Sequence, residues 1–172
     1  MTKLNDIWSL WYSNSKIRKQ SPVFGSHFGE FSAAETFWEY YNNIFIPERL
    51  ESDMDISMFR SKYANLEDSK EDEYYELGPR IVISVTRKNH YPDPRINDWA
   101  QKIMLLLIGE TIADESGKVN GVIISARKVE HRMVIMIDNI ESELTDQILE
   151  RVKLTLELPS EAPDISIKVI DD

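Results

Sequence analysis

Residues 119–138, VNGVIISARKVEHRMVIMID, constrain the fold more than any other stretch of this chain. Two apolar, β-branched runs flank a short polar turn at 128–131, the pattern of an antiparallel strand pair. Arg127 and Arg132 bracket that turn and are expected to face each other across the ladder. Like charges directly opposite one another destabilise a strand pair. Either each arginine is matched by a nearby carboxylate or by water, or an anion sits between them.

A chain of 172 residues is long enough to bury a core, and nothing divides it, so one domain over 1–172 is expected. No apolar run approaches the length that crosses a bilayer, and the start MTKLNDIWSL lacks a signal-peptide core, so no membrane partner is expected. The absence of cysteine excludes disulfide and thiol chemistry and favours a cytoplasmic setting, with a nuclear one also open. A formal net charge of −10 argues against broad, non-specific nucleic-acid binding. The charge is unevenly spread, however. Within residues 1–29, Lys3, Lys16, Arg18 and Lys19 stand against Asp6 alone, whereas residues 48–76 hold ten acids and four bases. A local basic rim suits a small anion while the acidic bulk repels long polyanions.

The segment 7–13, IWSLWYS, alternates like a strand, and a second short strand is expected around 27–31. Ser32 with Glu35 three residues later reads as a capping box, opening a helix with Ala33, Phe37, Tyr41 and Ile44 facing the core and Trp38 at the edge. Pro47 ends it. Residues 51–78 are acidic, contain one apolar patch at 56–59, and read as a long connection. A strand follows at 80–87. The strongest periodic signal comes next: Ile96, Trp99, Ala100, Ile103, Met104, Leu107 and Ile108 recur at helical spacing, between Pro94 and Gly109. Leu105 and Leu106 widen that stripe, which fits either a broad core-facing helix or a second contact surface. Residues 142–156 read as a third helix and 164–170 as a final strand. The expected class is α+β: a mainly antiparallel sheet with three helices on one face.

The three histidines, His27, His90 and His131, fall in separate loops, and no spacing of His or carboxylates suggests a metal. There is no GxGxxG, no phosphate-binding loop and no GxSxG elbow. No cofactor and no enzymatic activity are expected, and a binding or interaction protein is favoured.

Several segments taken together resemble the translation initiation factor 4E family, whose members hold the methylated guanine cap at the 5′ end of messenger RNA. They are IWSLWY, SAAETFWEYYNN, DISMF, LLLIGE, VNGVIISARK and RMVIMI, in the family's order and near its spacing. The resemblance implies a curved, mainly antiparallel sheet with three helices packed on the convex face and the cap in the concave face. It also implies that Arg127 and Arg132 grip the cap phosphates, that Glu67 accepts hydrogen bonds from the guanine edge, and that Met136 lies near the cap methyl. Trp38, Leu105, Ile108 and Gly109 correspond to the dorsal surface that binds a short helical motif of a scaffold initiation factor or a repressor. A monomer is expected.

This chain departs from the family's pattern in its pocket. The family sandwiches the cationic base between two tryptophans. Here Trp8, Trp11, Trp38 and Trp99 all align outside the pocket, and Ser21 and Leu66 fall near the sandwich positions. Phe24 or Phe28 from the first loop, and Tyr63 or Tyr74 from the second, are the stacking candidates. Lys102 stands where the family usually has a glutamate. The expected function is cap binding in translation initiation through a non-tryptophan sandwich. The alternative is an adaptor or regulator of the same fold that has lost cap binding and acts through its dorsal face.

Overall fold

The computed structural model describes residues 1–18, 25–43, 47–62, 79–88, 93–114, 118–137 and 142–170. Among these, seven strands form one sheet: β1 (Lys3–Ser13), β2 (Ser26–Ala33), β3 (Asp55–Arg60), β4 (Arg80–Thr86), β5 (Val119–Ala126), β6 (Glu130–Ile137) and β7 (Ile165–Ile170). The spatial order is β2-β1-β3-β5-β6-β4-β7, and every neighbouring pair is antiparallel. The helices are α1 (Ser15–Arg18), α2 (Ala34–Asn43), α3 (Arg95–Ile108) and α4 (Ser142–Thr155), with a 3-10 turn at Pro47–Arg49. The α+β class and the curved antiparallel sheet are as expected, but there are four helices among the described residues rather than three. The extra one, α1, is a single turn whose Ile17 N–H is taken by the Asn14 side chain at 2.9 Å.

Period-two alternation decides which face each strand residue occupies. On β4, Ile81, Ile83 and Val85 are buried, while Arg80, Val82 and Ser84 between them are half-buried. The inward residues meet one continuous core with Trp8 and Leu10 of β1, Met58 of β3, Val122 and Ile124 of β5, and Met133 and Ile135 of β6. Phe37 of α2, the whole expected stripe of α3, and Ile148 and Val152 of α4 close that core from the convex side. Each fully buried side chain of this size contributes ~1.5–3 kcal/mol.

Three local expectations change. The apolar patch at 56–59 is part of a central strand, β3, buried along its whole length between β1 and β5. Helix α2 opens at Ala34, because β2 runs on past Ser32 to pair Ala33 with Lys3, and the Glu35 carboxylate takes the Thr2 backbone N–H at 2.9 Å instead of closing a capping box. Helix α3 ends in a Schellman turn, with Glu110 N–H to the Leu107 carbonyl and Thr111 N–H to the Leu106 carbonyl. Glu110, not Gly109, occupies the left-handed position at φ 55°. Its carboxylate is fixed by Arg60 of β3, whose Nη1 and Nη2 donate to it at 2.6 and 2.9 Å. Arg60 is buried over the Trp8 ring and also donates to Asp6 and to the Val119 carbonyl, so a charged network ties β1, β3, β5 and the end of α3 together.

Candidate functional site

The face of the sheet opposite the helices is laid out in cross-strand rows. One row runs Ser13, Asp55, Ser125, Arg132, Ser84 and Ser166. The next runs Trp11, Ser57, Ile123, Val134, Val82 and Lys168. The β5–β6 hairpin is tighter than the sequence suggests. Arg127 N–H bonds the Glu130 carbonyl at 2.9 Å, leaving only Lys128 and Val129 in the turn. Arg132 therefore faces Ser125, and Arg127 is displaced along the same face rather than set opposite Arg132. The expected arginine–arginine pair does not form, so there is no like-charge conflict for an intervening anion to relieve.

Each arginine instead holds a carboxylate, the first of the two alternatives the sequence allows. Arg127 Nη1 donates to Asp55 Oδ1 at 2.9 Å and also to the Ala126 carbonyl. Arg132 Nη2 donates to Glu130 Oε1 at 2.5 Å. Arg127 thus uses only Nη1, and Arg132 only Nη2, among the described residues. The remaining N–H groups of both planar forks stay available, and a carboxylate that fixes one corner of a guanidinium orients the rest. Asp55 and Glu130 were not singled out from sequence. Glu130 lies two residues before Arg132, so strand parity alone puts them on one face; Asp55 needs the strand order.

His131, next in sequence to Arg132, points the other way into the core, where neither ring nitrogen finds a hydrogen-bond partner among the described residues. Burial, and secondarily the Arg87 charge, push its pKa down to about 4 against an opposing pull from Asp93. It is neutral at pH 7 and adds nothing to the charge of the open face.

Met136 lies on the open face between Gly121 and Arg80 but is fully buried. Beside it the Phe59 ring covers Gly121, where an added Cβ would lie 2.6 Å from that ring. Past Arg132 the face opens into a groove of ≈ 630 Å³ over β6, β4 and β7, with Arg80, Arg132, Lys168 and Glu130 as its charged residues among those described. A second hollow of ≈ 750 Å³, beside the α4–β7 connection, has Lys153 and Glu161 as its charged groups among the described residues.

The other expected positions divide. Glu67, Phe24, Tyr63 and Tyr74, with Ser21 and Leu66, lie outside the described residues. Phe28 packs on the helix side, edge-on to Tyr40 of α2 at 6.4 Å, away from the arginines. A bulge in β2 causes this: between the pairs Leu10–Gly29 and Trp11–His27 the register shifts, so His27 takes the open face against Trp11. On the helix side Trp38 is half-buried, edge-on to Phe37 and Tyr41. Leu105 and Gly109 are exposed, while Ile108 belongs to the core. Lys102 pairs with Asp98 one turn earlier at 2.9 Å.

Comparison with known proteins bears on the whole chain. Residues 3–168 match the family model "Eukaryotic initiation factor 4E". Eukaryotic translation initiation factor 4E of Candida albicans is 31% identical over 165 residues, covering 92% of this chain and 75% of that protein. The isoform 4E factor of Nicotiana tabacum is 27% identical over 152 residues, covering 87% and 72%. The fold is similar to that of Ascaris suum eIF4E-3 in complex with an m2,2,7G cap, with a TM-score of 0.76 at 22% identity over 97% of this chain and 90% of that one. The family's members are translation initiation factors and not enzymes. On the span of the family match and the Candida relative, this chain belongs to the eukaryotic initiation factor 4E family.

Proposed function

We propose that this chain binds the 7-methylguanosine cap of messenger RNA in translation initiation, gripping the cap phosphates with Arg127 and Arg132. The observation that carries this reading is the pair of guanidinium forks on the open sheet face, each steadied by one carboxylate and each with donors to spare. Two such forks offer charge-assisted, geometrically specific bonds to phosphate oxygens. Membership in the initiation factor 4E family, and the cap bound in the Ascaris relative, supply the ligand class.

The base is held without tryptophan. Trp8, Trp11 and Trp99 are buried in the fold, and Trp38 sits on α2, so no indole has a free face beside the arginines. Phe24 and one of Tyr63 or Tyr74 remain the stacking candidates, with Glu67 on the guanine edge and Met136 near the methyl, all on the strength of the resemblance. Their weaker cation–π attraction lowers the preference for a methylated base. The protein works as a cytoplasmic monomer and recruits capped message to a scaffold factor through Trp38, Leu105 and Gly109.

One observation favours the adaptor reading. Both arginines are already neutralised by carboxylates in a chain of net charge −10, which weakens an anion site. Calorimetric titration with a methylated cap dinucleotide and its unmethylated counterpart separates the two. Micromolar binding of the methylated ligand is expected, with the unmethylated one weaker; heat from neither at those concentrations leaves the adaptor.

A further inference from the structure

Among the described residues β7 is the outermost strand on its side of the sheet and pairs only with β4. The Thr86 N–H bonds the Asp164 carbonyl at 2.9 Å, which fixes the phase of that ladder. Ser166 and Lys168, in step with Asp164, turn their backbone groups toward β4, whereas Ile167 and Val169 turn theirs outward. The strand has no proline and no register shift, so the outward N–H and C=O groups lie in a regular row. Side chains alternate along it as well. Ile165, Ile167 and Val169 stand opposite the core residues Val85, Ile83 and Ile81 and so lie on the helix side, where Val169 is 40% exposed. Beside them is the hollow of ≈ 750 Å³, lined by Ile165 and Ile167 with Leu158, Pro159 and Pro163 of the α4–β7 connection. Ser166 and Lys168 lie on the open face, both exposed, and Lys168 makes no ion pair among the described residues. A lysine on an edge strand guards it against indiscriminate pairing. That guard does not act against a strand that brings an acid to the same place, and it does not account for the apolar hollow on the other face.

We propose that β7 receives an extended segment of a partner protein, added antiparallel to the sheet, with apolar residues at alternate positions over the hollow and an acidic residue beside Lys168. Main-chain bonds to Ile167 and Val169 give such a strand its affinity, and the alternation gives it specificity. The inference is independent of cap binding, since neither Arg127 nor Arg132 takes part in it. A second copy of this chain fits the edge less well. Antiparallel self-pairing in the phase of the outward groups can bring Asp164 to Lys168, but Arg95 already holds that carboxylate at 2.6 Å. Two whole chains of net charge −10 also repel each other.

The test titrates the intact protein with an octapeptide that alternates valine and glutamate, blocked at both ends, and follows amide hydrogen exchange in 1H–15N spectra. Without peptide, the Ile167 and Val169 amides should exchange freely while β4 protects those of Ser166 and Lys168. Saturating peptide should slow exchange at Ile167 and Val169 by about 10-fold or more. Lys168→Glu should weaken the peptide by about 3–10-fold at low salt and strengthen a valine–lysine counterpart by a similar factor. N-methylation of the valines, whose N–H groups face β7 in the antiparallel phase, should abolish binding, and N-methylation of the glutamates should not. The proposal is overturned if Ile167 and Val169 stay unprotected at millimolar peptide, if the two N-methylated peptides behave alike, or if poly-glutamate binds as well as the alternating peptide. Protection of these two amides that rises with protein concentration in the absence of peptide would give the edge to a second copy and overturn it too.

Discussion

Arg127→Ala is expected to cost both the fold and the ligand, whereas Arg132→Ala costs the ligand alone. The difference lies in the carboxylates they hold. The Asp55 side chain is 12% exposed and accepts the Arg127 Nη1 bond from a guanidinium that is 32% exposed. Losing a charge-assisted bond to such a carboxylate costs ~1.5–3 kcal/mol when both groups are buried. Solvent over a third of Arg127 brings this to about 1–2 kcal/mol. For a domain of this size that lowers Tm by roughly 2–8 °C. Arg132 and Glu130 are 41% and 28% exposed, and a surface pair of that kind is worth ~0–1 kcal/mol. Against phosphate the two arginines are alike: each should donate charge-assisted bonds of ~1.5–3 kcal/mol, so each variant should lose roughly 10–150-fold in affinity for a triphosphate cap. The bare methylated nucleoside, with no phosphate to grip, should be nearly unaffected. Urea unfolding of both variants, with calorimetry on both ligands, measures these stabilities and affinities. The reasoning is refuted if Arg132→Ala destabilises as much as Arg127→Ala, or if nucleoside and triphosphate lose affinity equally.

Three further outcomes follow from the geometry. Arg60→Met should destabilise by about 3–5 kcal/mol in urea unfolding, because it removes the bidentate partner of the nearly buried Glu110 carboxylate, and adding Glu110→Gln should recover part of it; a loss under about 1 kcal/mol would show the network to be solvated. His131 makes stability fall on acidification: its folded pKa of about 4 lies below the ordinary 6.5, so the unfolded chain takes the proton first, and stability is lost as pH drops from about 6.5 toward 4. Between pH 7 and pH 5 that amounts to on the order of 1–2 kcal/mol, and His131→Leu should flatten this part of the profile; an unchanged slope would mean the ring is solvated. Cap titration should quench tryptophan fluorescence only slightly, since Trp8, Trp11 and Trp99 are buried and Trp38 is on α2; strong quenching would put an indole in the pocket.

The elements legible in the sequence were those with one face in the core and the other toward water. The stripe of α3 and the alternation of β4 carry that contrast residue by residue. Strand β3 lacks it: DISMFR is buried throughout at the centre of the sheet, so neither alternation nor length distinguished it from the acidic connection around it. The hairpin was legible as strands but not in register. A turn of two residues rather than four brings Ser125 opposite Arg132, and no propensity in KVEH announces that choice. For the site, parity put Arg132 and Glu130 together, whereas the Arg127–Asp55 pair depends on β3 lying beside β5, a long-range fact. The misplacement of Phe28 has a local cause, since one bulge in β2 exchanges its face with that of His27.

The most direct test of the central claim is a map of amide shifts in 1H–15N spectra as the methylated cap triphosphate is added. Shifts should concentrate on the open face of the hairpin, at residues 125–136, and at Ser84, while α3 and α4 stay unmoved. Shifts confined to the helix face, or none at saturating ligand, would contradict a cap-phosphate grip at Arg127 and Arg132.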